Sequence, residues 1–132
     1  MDEPLSPEDQ RRLQITSAGM LAGTLIFLGI SLYMHLTRRT GSGVRAVSYF
    51  ALAVGLLSPG LVAMVDRAMA ARPLDSTSKV KPAVQRHIVT YGLLEGAGLT
   101  CAIALFVAPD LLPLAAALVP VGTMVLRFPR AS

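Results

Sequence analysis

Residues 88–107 read Ile-Val-Thr-Tyr-Gly-Leu-Leu-Glu-Gly-Ala-Gly-Leu-Thr-Cys-Ala-Ile-Ala-Leu-Phe-Val, a long apolar run with one carboxylic acid, Glu95, inside it. About 20 residues of helix cross the hydrocarbon core of a bilayer, so this run predicts a membrane span with an acid inside it. Three further runs lie outside it, at 15–36, 46–65 and, shorter, 111–126. The chain is 53% hydrophobic and only 15% charged, too apolar for an ordinary soluble domain. The expected fold is all-α, a polytopic membrane protein with four transmembrane helices arranged as two helical hairpins.

The corresponding segments are a cytoplasmic tail (1–14), a first transmembrane hairpin (15–65), a basic cytoplasmic linker (66–87), a second hairpin holding Glu95 (88–128) and a short tail (129–132). The first run is too long for a cleaved signal segment, and no small-residue cleavage pattern follows it, so it is expected to stay attached. Ser6-Pro7-Glu8-Asp9 forms a helix start, with Ser6 as cap and Pro7 at the first position. Cys101 is the single cysteine, so no intrachain disulfide is expected and it reads as a small apolar filler.

Cations set the orientation. Arg11, Arg12, Arg67, Arg72, Lys79, Lys81, Arg86, Arg127 and Arg130 fall on one side of the runs, against Arg38, Arg39 and Arg45 on the other. Both termini and the linker are therefore expected in the cytoplasm. The net charge of +4 follows from this bias, which leaves no nucleic-acid footprint to explain. The basic linker could touch anionic lipid head groups, but the positive-inside bias already accounts for its charge.

Small residues suggest helix contacts. Gly19 and Gly23 are four apart in the first run, and Gly92, Gly96, Thr100 and Ala104 form a stripe in the third. Such spacing lets helix backbones approach closely, here within the monomer first and between copies second. Pro59 and Pro120 interrupt the second and fourth runs and should kink them. Each removes an amide, freeing the carbonyls of Gly55 and Ala116, which must find other donors in lipid. Asp110 is placed to cap the fourth helix, ahead of Pro113.

Glu95 lies about 10 Å past Ile88 at the helical rise, and both prolines lie seven residues from the basic end of their runs. Acid and freed carbonyls thus share one layer. With Tyr91 one turn away, they form a candidate ion-binding set of Glu95, Tyr91, Gly55 and Ala116. An internal repeat runs alongside: Gly19 aligns with Gly92, Gly23 with Gly96 and Leu32 with Leu105, and separately Pro59 with Pro120. Ala22 then falls on Glu95, and two hairpins stand in parallel repeat.

The segment Tyr91-Gly92-Leu93-Leu94-Glu95-Gly96-Ala97-Gly98-Leu99 resembles the acid-bearing helix of the proteolipid c subunits of rotary ATPases. It is also similar to small bacterial membrane proteins with four spans and a glutamate in the third, which implies a bacterial inner membrane. The proteolipid resemblance covers about one helix and implies an ion-binding carboxylate at Glu95. The chain departs from that family in lacking a polar Arg-Gln-Pro type loop and in carrying its acid on the third span.

The function expected from these residues is that of a structural or accessory membrane protein, packed through small-residue stripes and a buried Glu95. The alternative is a proton or cation pathway component with Glu95 as the ion-binding carboxylate. Partners are the bilayer and either further copies or a larger membrane complex. No catalytic residue, metal site or cofactor is expected: His35 and His87 fall at opposite ends of the spans, and no nucleophile has a base in reach.

Overall fold

The computed structural model describes residues 5–37, 43–71 and 82–129. It is all-helical there: α1 (Pro7–Thr37), α2 (Arg45–Ala70), α3 (Pro82–Val107) and α4 (Leu112–Leu126). The first three are long and apolar enough to cross a membrane. The fourth has 15 residues, about 22 Å at the helical rise, against roughly 30 Å of hydrocarbon. Three candidate spans therefore stand where four were expected. The residues of the expected turn and linker at 38–42 and 72–81 lie outside the described residues, as do Arg38, Arg39, Arg72, Lys79, Lys81 and Arg130.

Local sequence explains the helix ends. The Asp9 amide donates to Ser6 Oγ at 3.1 Å and the Ser6 hydroxyl donates to the Asp9 carboxylate at 2.7 Å, so α1 starts at the expected cap and runs unbroken through the expected tail. Asp110 accepts the Leu112 amide at 3.2 Å and the Ser48 hydroxyl at 2.7 Å, tying the start of α4 to α2. Helices also consume both ends of the expected linker, since α2 continues to Ala70 and α3 begins at Pro82. Both α2 and α4 continue through Pro59 and Pro120.

The bundle is built around α3, which packs against α1, α2 and α4, while α1 and α2 make no contact with each other among the described residues. Only the second half of the chain is thus a packed hairpin. The physical reason lies in side-chain size: α3 buries Ala97, Gly98, Cys101, Ala102 and Ala104, and small residues let three neighbours come close to one backbone. Cross-helix contacts fix the directions. Ser17 meets His87 and His35 meets Leu105, so α1 and α3 are parallel. Ser48 meets Asp110 and Gly55 meets Ala116, so α2 and α4 are parallel. Residues spaced by 70 or so in the first pair, and by 61 or 62 in the second, therefore lie side by side, close to the offsets at which the internal repeat aligns.

The polarity is inverted relative to a soluble domain. Ser17, Thr24, Ser31, Ser48, Ser58 and Thr90 are buried, while Ile26, Phe50, Leu57 and Leu118 are each about 60% exposed or more. An apolar exterior over a hydroxyl-lined interior suits a lipid solvent. Three of these hydroxyls bond back to their own helices, Thr24 to Met20 O at 2.9 Å, Ser58 to Gly55 O at 2.7 Å and Thr90 to Arg86 O at 2.8 Å, while Ser17 and Ser48 bond across to His87 and Asp110. Among described residues, no buried side-chain nitrogen or oxygen lacks a partner.

This corrects the expected packing faces. Gly19, Gly23, Gly92 and Gly96 have nothing within 4 Å of where a Cβ would stand. The face of α1 turned to α3 is instead Leu13, Ser17, Thr24, Leu28 and Ser31, and the Thr24 methyl fills the recess at Gly98, 2.8 Å from its absent Cβ.

Candidate functional site: an outward carboxylate and a polar basic end

Glu95 is not a buried staple. It is only partly buried on α3 and has no hydrogen bond or ion pair among the described residues. Leu94, Ala97 and Gly98 turn toward the other helices, which places Glu95 beside the open positions Gly92 and Gly96. Thr100 closes this stretch by donating to Gly96 O at 2.7 Å.

The rest of the expected ion-binding set is engaged elsewhere. Gly55 and Ala116 meet across the α2–α4 contact, where the Ala116 carbonyl lies against the Gly55 Cα. The Gly55 carbonyl, which Pro59 deprives of its helical donor, accepts the Ser58 hydroxyl at 2.7 Å. Tyr91 is 1% exposed and donates to Met124 O at 2.7 Å, capping one of the carbonyls left open at the end of α4. Gly55 joins Ala116, therefore, while Glu95 and Tyr91 are bonded neither to that pair nor to each other. Cys101 is buried and free, with its thiol 3.5 Å from Ala51 O.

Polar groups converge instead where α1 and α3 begin and α2 and α4 end. Arg86 Nε and Asp66 Oδ1 form an ion pair at 3.1 Å between α3 and α2. His87 Nε2 lies 2.9 Å from Ser17 Oγ of α1 and its ring stacks on Tyr91 with centroids 5.0 Å apart. Gln14, two turns into α1, donates to Pro129 O at 3.3 Å, so the last described residue is tied to α1 here. A cavity of about 220 Å³ opens among Asp66, Ala83, Arg86, His87, Thr90 and Arg127.

Sequence reasoning missed this cluster. Asp66 and Arg86 read as charges of a linker, and His87 as its last residue. The available signal was the repeat offset, which sets the start of α1 beside the start of α3. At the opposite end, His35 Nδ1 donates to Leu105 O at 2.8 Å, so α1 caps α3 with a side chain that the linear pattern leaves unassigned.

Compared with protein-family models, curated proteins and solved structures, the chain matches none.

Proposed function

We propose that this chain is a structural or accessory membrane protein that spans the bilayer four times, with both termini cytoplasmic, and self-associates through the outward face of α3. The observation that carries this reading is the contrast between the bundle and Glu95. Every described buried side-chain polar atom has a partner, whereas the one acid midway along α3 is only partly buried and has none among the described residues. A lone carboxyl against hydrocarbon is costly whether ionised or neutral, so a second protein surface over Glu95 stabilises it. Gly92 and Gly96 beside it, with open space over both, admit another helix backbone at close range.

The test is oligomeric state in lipid, read by single-molecule photobleaching in vesicles. Wild type is expected as an oligomer, Gly92→Leu and Gly96→Leu as monomers of unchanged helicity, and Glu95→Gln as a weakened oligomer. A wild-type monomer at all protein-to-lipid ratios overturns the reading. The same unpartnered carboxyl also favours a second reading, an exchangeable proton- or cation-binding carboxylate. Under it, Glu95→Gln abolishes flux across the vesicle membrane and leaves assembly intact.

A further inference from the structure

Two cavities of different chemistry share one seam. The polar cavity lies between the end of α2 and the start of α3, with Arg127 from α4 at its edge. A second cavity, of about 290 Å³, continues down the same two helices between Val54, Leu57 and Leu61 of α2 and Leu93, Ala97 and Thr100 of α3. Its only hydroxyls are turned away from it, Ser58 to Gly55 O and Thr100 to Gly96 O, so its walls are apolar. Leu93 is seven residues beyond Arg86 and Thr100 fourteen, which puts the groove about 10 to 21 Å below the polar cavity along α3. That is the depth of one acyl leaflet.

The charges in the upper cavity do not balance. Asp66 is paired with Arg86, and Arg127 has no ion pair among the described residues. The lining therefore carries one guanidinium, that of Arg127, beyond the Asp66–Arg86 pair.

We propose that the α2–α3 seam binds one anionic phospholipid, its phosphate among Arg86, His87 and Arg127 and one acyl chain in the groove below. The headgroup end supplies charge and donors, and the groove excludes water from the chain. The inference requires that the chain spans a bilayer, and it is independent of self-association through Glu95. Free phosphate satisfies the upper cavity alone; the apolar groove in line with it assigns the lipid.

Native mass spectrometry of the purified full chain tests this, using phosphatidylglycerol or phosphatidylcholine added at equal concentration, and inorganic phosphate in a separate arm. Wild type is expected to retain one phosphatidylglycerol in preference to phosphatidylcholine. Arg127→Gln should lower that preference about fivefold, the effect of one cation near an anionic lipid surface. Leu57→Trp fills the groove from a position that is 68% exposed, so the fold is retained, and it should weaken binding of both lipids several-fold. Helicity by circular dichroism confirms folding of each variant. Unchanged lipid retention in both variants overturns the proposal. So does displacement of the lipid by millimolar phosphate together with unaltered binding in Leu57→Trp, which would make this a phosphate site.

Discussion

Replacing Gly55 by alanine places a methyl group where α4 already stands. The added Cβ would come 2.9 Å from the Ala116 carbonyl carbon and 3.0 Å from its Cβ, and closer still to its oxygen. The obstacle is largely backbone, held within α4, so no side-chain rotation relieves it. The helices must separate at this level, and overpacking of this kind costs about 1–3 kcal/mol. A gain of ~1 kcal/mol for alanine over glycine in a helix offsets part of it, leaving a net loss of up to about 2 kcal/mol, and a deficit of about 1–3 kcal/mol relative to an alanine placed in open space. Gly19→Ala and Gly23→Ala face open space and should show only that helix-propensity gain. Unfolding in mixed micelles with increasing SDS, followed by circular dichroism, reads both effects. Should Gly55→Ala be as stable as Gly19→Ala, the close approach of α2 and α4 at this level is refuted.

A further stability prediction concerns a group that the folded chain holds in place. Ser58→Ala strips the substitute donor from Gly55 O, leaving a buried carbonyl unsatisfied at about 1–3 kcal/mol; Ser58→Ala with Pro59→Ala returns an amide to that carbonyl and should recover most of the loss in the same assay.

What the linear sequence determined was the solvent and the local geometry. Apolar runs of span length, the helix start at Ser6, and the amides lost at Pro59 and Pro120 depend on composition and on neighbours within a few residues. Membrane character and four helices follow from these alone. Tertiary structure decided which face of each helix is inside. In apolar sequence nearly every face is hydrophobic, so the period that marks a core in a soluble protein carries little information, and glycine pairs are open to either use. Gly19, Gly23, Gly92 and Gly96 therefore read as packing positions but face outward, while Gly55 and Gly98 carry the close contacts. Glu95 likewise reads as an inward acid. Its azimuth is set by where α1, α2 and α4 lean on α3, and those positions follow from the small residues on the far side of that helix. The polar end cluster needed all four helices at once: Ser17, Asp66, His87 and Arg127 are scattered along the chain, and only the parallel packing of α1 on α3 and of α2 on α4 brings them to one end.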